Sequence, residues 1–108
     1  MVEGQLGKLL LQAQKLQADM ARVQEQLRRQ KVEAVAEGGA IKVTANGQQE
    51  ITDIYLDPGF VHPANAKGLQ QILRTAVNNA LIKSRELAKN EMMKATGGLN
   101  LSNLTGLF

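Results

Sequence analysis

Between Leu6 and Leu27 the chain carries two seven-residue rhythms at once, and no other feature restricts its possible folds so strongly. Apolar residues fall at Leu6, Leu9, Ala13, Leu16, Met20, Val23 and Leu27, with spacings that alternate between three and four. That is a heptad seam, the stripe by which one helix packs against another. On a different face Lys8, Lys15, Arg22 and Arg29 recur every seven residues. At ~1.5 Å rise per residue these cations stand ~10 Å apart on a row ~30 Å long. A charge run taken alone reads as a solvated helix face, whereas evenly spaced charge on a rigid rod also suits a polyanion.

The seam predicts a helix from Gln5 to Gln30, with no proline inside it and many good helix formers. The period then changes. Val32, Ala34 and Ala36 alternate with polar residues up to Glu37-Gly38-Gly39, a turn signal, and Ile41, Val43 and Ala45 alternate up to Asn46-Gly47. Asn-Gly is the strongest short hairpin signal, and predicts a two-residue type I′ turn with positive φ at both positions. A third strand follows at Ile51–Leu56. Its apolar parity switches between Ile51 and Ile54, which predicts either a bulge or a strand that is apolar on both faces at its end. The expected sheet is a three-stranded antiparallel meander over residues 31–57, with two open edges that invite a partner.

Pro63 or Asn65 is placed to open a second helix, expected over residues 64–96. Leu69, Ile72, Leu73, Ala76, Val77, Ala80, Leu81, Leu87 and Ala88 form its apolar stripe, and Gly97-Gly98 supplies the stop. The segment 97–108 is expected to be a flexible or docked tail whose leucines rest on the protein or a partner. The whole chain is expected to be one α+β domain, residues 1–108.

Charge is distributed unevenly along this order. Residues 5–31 carry a net +4, residues 32–63 a net −4 and residues 64–108 a net +4. Both helical ends are basic and the strands are acidic, a footprint for an anionic partner that touches the helices and avoids the sheet. The expected contact residues are Lys8, Lys15, Arg22, Arg28 and Arg29 on the first helix, with Lys83, Arg85 and Lys89 on the second.

Little in the sequence supplies chemistry. The absence of cysteine removes disulfides and thiolate sites, and the single histidine, His62, reads as a loop residue rather than a metal ligand. Gly38-Gly39 lacks a P-loop's spacing, Ser84 and Ser102 have no triad context, and Asp53 with Asp57 reads as surface acidity. No catalytic residue, metal, cofactor or small-molecule substrate is expected, and no enzyme. No apolar run approaches the ~18 residues of a membrane span, and no secretory signal is visible, so a cytoplasmic protein without membrane contact is expected. Only Tyr55, Phe60 and Phe108 are aromatic, too few to stack the bases of a single strand. A nucleic-acid partner would therefore be a duplex held by its phosphates.

Six stretches recur in a fixed order: Leu6-Gly7-Lys8-Leu9-Leu10-Leu11-Gln12-Ala13-Gln14-Lys15-Leu16-Gln17, Gly39-Ala40-Ile41-Lys42-Val43-Thr44-Ala45-Asn46-Gly47 and Ile54-Tyr55-Leu56-Asp57-Pro58, followed by Ala76-Val77-Asn78-Asn79-Ala80, Glu91-Met92-Met93 and Gly97-Gly98-Leu99. In these the chain resembles, over nearly its full length, the YbaB/EbfC family of bacterial nucleoid-associated DNA-binding proteins. Their order and spacing, more than any one of them, carry the match. The resemblance implies a tweezer-like homodimer whose sheets join centrally while the helices project, binding double-stranded DNA without catalysis in the nucleoid and influencing gene expression. It supplies no short base-reading motif, so the contact residues above rest on charge placement. A reading from another class fits the same element order: a prefoldin-like chaperone or protein-interaction dimer would grip its partner with exposed apolar residues near helix ends, such as Leu9-Leu10-Leu11 and Met92-Met93.

Overall fold

A computed structural model describes residues 2–95, with side chains from Gly4 onward. The expected tail 97–108 and the glycine stop at Gly97-Gly98 lie outside the described residues. The first helix, α1, runs Val2–Arg29. One residue later the chain enters β1 (Lys31–Ala36), which pairs antiparallel with β2 (Ile41–Asn46), which pairs antiparallel with β3 (Ile51–Leu56). Two 3₁₀ turns at Pro58–Phe60 and Pro63–Asn65 lead into α2 (Ala66–Ala95). The architecture is α+β, with a long N-terminal helix, a three-stranded antiparallel meander and a long C-terminal helix.

The alternation in the strands does what its period dictates. In register, Val32, Ala34 and Ala36 face the same side as Ala45, Val43 and Ile41, and α2 lies over them. Ala34, Ile41, Val43 and Ala45 pack against Ala76 and Ala80, all buried. Alanine at both helix positions lets the backbone of α2 approach the sheet closely, with Leu69, Ile72, Leu73 and Val77 filling the flanks. The parity switch in β3 is a bulge: Thr44 faces Asp53 while Ala45 faces Ile51, leaving Thr52 as the extra residue.

The second hairpin differs from the two-residue type I′ turn that Asn46-Gly47 predicts. Asn46 is the last residue of β2, and its N–H donates to the carbonyl of Glu50 at 2.9 Å, so three residues lie inside this closing pair and four, 47–50, separate β2 from β3. Positive φ falls at Gln49 (64°) and not at Gly47. Gly47 is required for another reason. A Cβ there would stand 2.6 Å from Leu27 Cδ2 and 2.8 Å from the Leu27 carbonyl oxygen. Its N–H donates to the carbonyls of Leu27 (2.7 Å) and Gln30 (3.1 Å), satisfying orphan acceptors at the end of α1.

The same loop is held from the other side by α2. Buried Ser84 donates its hydroxyl proton to the Asn46 carbonyl at 2.6 Å and accepts the Gln49 N–H at 3.0 Å. Asn46 Oδ1 accepts the N–H groups of Gln48 and Glu50. Leu27 and Ser84 thus flank one loop, and from there α2 runs antiparallel to α1. At ~1.5 Å per residue each helix is ~42–45 Å long, and their stagger about this clasp makes the molecule 75 Å long but only 25 by 18 Å across. Two rods project from one small sheet.

Candidate nucleic-acid interface

All eight cations expected to form the interface are exposed. On α1 the row Lys8, Lys15, Arg22 and Arg29 stands clear of the buried positions Val23 and Leu27. Its two halves differ electrostatically. Arg22 pairs with Asp19 at 2.8 Å, while Arg28 and Arg29 share Glu25 at 2.6 and 3.2 Å. The hydrogen bond from Arg28 holds the Glu25 carboxyl below its usual range, with the charges of Arg28 and Arg29 adding to it, and Glu25 raises the Arg28 guanidinium in turn. Glu25 is therefore ionised at neutral pH and partly neutralises two cations. Lys8 and Lys15, nearer the free end, form no ion pair among the described residues.

Glu25→Gln removes the one carboxylate shared by Arg28 and Arg29. It is expected to tighten duplex binding and to steepen its dependence on salt by up to about one unit of log K against log salt, the worth of one further phosphate contact. Parallel titrations of the variant and the native chain check this.

On α2 the expected residues separate. Lys83 donates from Nζ to the Glu33 carbonyl at 2.7 Å, capping the open edge of β1, so part of its donor capacity serves the fold. Arg85 and Lys89 are exposed without an ion pair among the described residues. They belong to a second row that the sequence reading did not include. Lys67, Arg74, Asn78, Arg85 and Lys89 follow one another at spacings of seven, four, seven and four, which at ~100° per residue confines them to a stripe about 60° wide. All five are exposed, and the buried Ala76 and Ala80 lie on the opposite side of the helix. No carboxylate falls in the stripe. It is ~33 Å long. The alternating spacing was visible in the sequence, yet only the helix's packing against the sheet shows that this stripe faces outward.

The sheet separates the signs as its composition suggests. Glu33 and Asp53 flank Thr44 on the face away from α2, and both are exposed. His62 is an exposed loop residue whose N–H donates to Asn65 Oδ1 at 3.0 Å, fixing the turn before α2. Among the described residues no three His, Cys, Asp or Glu side chains gather as metal ligands. A groove of ≈ 290 Å³ between β1 and α2 contains one ionisable group, Glu37. No helix of the described residues is long and apolar enough to cross a membrane.

This geometry agrees with what the chain is similar to. The model of the YbaB/EbfC DNA-binding family matches residues 3–99. The chain belongs to that family. Among its relatives, a nucleoid-associated protein of Desulforamulus reducens is 47% identical over 104 residues, covering 96% of this chain and 99% of the relative. Another, from Pelotomaculum thermopropionicum, is 41% identical over 104 residues, with 96% and 99% covered. An uncharacterized protein of Helicobacter pylori shares the fold, with a TM-score of 0.69 at 23% identity over 84% of this chain and 92% of that one. The family's name and those of the relatives describe DNA binding and nucleoid association, not an enzyme.

Proposed function

We propose that this member of the YbaB/EbfC family binds double-stranded DNA as a homodimer, through phosphate contacts with little sequence preference, and so organises the nucleoid and influences gene expression. The observation that carries the reading is the pair of exposed cation rows, Lys8–Lys15–Arg22–Arg29 on α1 and Lys67–Arg74–Arg85–Lys89 on α2, on rods that project from an acidic sheet. Each cation that meets a phosphate releases condensed counterions and positions the duplex without reading bases. The names of the relatives place those proteins with the nucleoid, and the same location is proposed here.

The dimer rests on one uncovered strand. Ile54 shares a face with Val43, its partner in register. Val43 is 0% exposed, but Ile54 is 43% exposed, while Ile51 and Leu56 at the two ends of β3 pack against the core. In one chain Ile54 is therefore not the buried residue that its strand pattern suggests. An apolar residue on an edge strand is a surface for a second copy. Ile54→Glu is expected to leave the monomer folded and to weaken the dimer by about 2 kcal/mol or more, roughly thirtyfold in its dissociation constant. Sedimentation equilibrium distinguishes the 11.7 kDa monomer from the dimer. An unchanged dimer in this variant would remove β3 from the interface.

The chaperone reading also has an observation in its favour, since Leu9, Leu10 and Leu11 are 61%, 61% and 67% exposed. Duplex titrations with two unrelated sequences, run beside an aggregation assay on a denatured client protein, separate the two. The proposed function requires equal, salt-sensitive binding to both duplexes and no suppression of aggregation.

A further inference from the structure

The clasp at the end of β2 fixes two neighbouring residue types at once. Leu27 leaves no room for a Cβ at Gly47. Asn46 must both accept and donate: its Oδ1 takes the N–H groups of Gln48 (2.9 Å) and Glu50 (3.2 Å), and its Nδ2 donates to Glu50 Oε1 at 2.9 Å. Packing thus places at the clasp the dipeptide most prone to lose its side-chain amide, and Asn46 is the only asparagine of the chain followed by glycine. With no side chain on Gly47, nothing hinders its nitrogen from approaching Asn46 Cγ once both are free to turn. In that reaction the Gly47 nitrogen bonds to Asn46 Cγ and closes a succinimide ring. The Cγ–Nδ2 bond breaks, and ammonia leaves with the Gly47 amide proton. Water then opens the ring at either carbonyl, leaving an aspartyl or an isoaspartyl linkage at position 46.

The folded clasp opposes each part of this step. The Gly47 proton is held between the carbonyls of Leu27 (2.7 Å) and Gln30 (3.1 Å), and Gly47 is buried, which keeps a base in solvent away from it. Asn46 is only 4% exposed. Its side-chain amide is fixed by the three bonds above, and its backbone by the Ser84 hydroxyl at 2.6 Å and by Glu50. Nitrogen and carbon cannot turn into a near-attack geometry without opening the clasp. We infer that Asn46 is a latent deamidation site, shut in the folded chain and exposed when the clasp opens, so that the modification marks chains that have unfolded. The mark is self-perpetuating. An aspartyl product sets a second carboxylate where Nδ2 donated to Glu50, so a hydrogen bond becomes a repulsion between like charges. An isoaspartyl product adds a methylene to the backbone beside Gly47, where Leu27 leaves no space.

Peptide mass spectrometry of the full chain, incubated at neutral pH with and without denaturant, tests this. Conversion at Asn46 is expected to be at least about tenfold slower in the folded chain, and equal rates would overturn the latent site. Two variants locate the protection. Ser84→Ala removes the hydroxyl that holds Asn46 and Gln49, whereas Ile41→Val loosens the core at the far end of β2. With the two brought to the same stability by added denaturant, conversion should be several-fold faster in Ser84→Ala. Equal conversion at matched stability would assign the protection to the fold as a whole and overturn the role of the clasp. Asn46→Asp, made directly, reports on the product: its thermal midpoint should fall by roughly 5 °C or more at one protein concentration. An unchanged midpoint would show that the modified chain closes as before, and would overturn the self-perpetuating mark.

Discussion

Gly47→Ala is expected to lower stability by about 2–4 kcal/mol. The new methyl would meet Leu27 Cδ2, Cβ and carbonyl oxygen at 2.6, 2.9 and 2.8 Å. A flexible side chain could turn aside from such a contact, but the carbonyl belongs to the last turn of α1 and cannot move without opening the helix end. Overpacking of this kind costs ~1–3 kcal/mol. The two bonds that the Gly47 N–H makes to Leu27 and Gln30 would lengthen together, at about 1 kcal/mol or less each. In a domain of this size the midpoint of thermal unfolding should fall by roughly 10 °C or more, measured at one protein concentration because a dimer's midpoint varies with it. Gly68→Ala is the control. A Cβ at Gly68 meets nothing within 4 Å, and alanine in a helix is neutral to stabilising by about 0.5–1 kcal/mol. A midpoint for Gly47→Ala within about 2 °C of the native chain would show that α1 is not anchored through this loop.

Gly47 also shows how far the sequence could be read. Periodicity located the helices and strands because apolar residues must gather on one side of each, and the parity switch from Ile51 to Ile54 exposed the bulge at Thr52. The turn was another matter. Asn-Gly favours a type I′ turn locally, but here the close approach of Leu27 fixes Gly47, and the loop lengthens so that Ser84 can hold both Asn46 and Gln49. That contact joins residues far apart in the chain, and no window of local pattern contains it. Ile54 lies on the same face as Val43, its partner in register, but its exposure in one chain is set by packing that no local pattern contains.

For the interface, the α1 row was legible because a strict seven-residue repeat keeps side chains on one face. The pairing of Arg22 with Asp19 and of Arg28 with Glu25 follows from a spacing of three, and it leaves Lys8 and Lys15 as the unpaired half of that row among the described residues. Lys83 could not be judged from sequence, since its bond to the Glu33 carbonyl depends on β1 being an edge strand beside α2. Lys67 and Arg74 belong to a row whose cations follow at uneven intervals of seven, eleven and four, so no strict seven-residue repeat marks it.

Neutralising either row is expected to weaken duplex binding in equal proportion for unrelated sequences, without loss of helicity or of the dimer. Neither Lys8, Lys15, Arg22 and Arg29 nor Lys67, Arg74, Arg85 and Lys89 contributes to the buried core, so glutamine at four positions should leave the fold intact. Where each cation meets one phosphate, removing four lowers the slope of log K against log salt by ~3–4 units. Between about 50 and 200 mM salt that change alone amounts to roughly a hundredfold in relative affinity. The α2 row, free of carboxylates, should deliver its full share. The α1 row should deliver less, because Arg22 and Arg29 already share charge with Asp19 and Glu25.

The most direct test of the account is the salt dependence of duplex binding in the native chain and in the two fourfold glutamine variants. Phosphate recognition by both helices predicts a steep native slope, reduced in each variant and reduced more by loss of the Lys67–Lys89 row, with the same values for two unrelated duplexes. A slope unchanged in both variants, or a loss of affinity for one duplex and not the other, would contradict it.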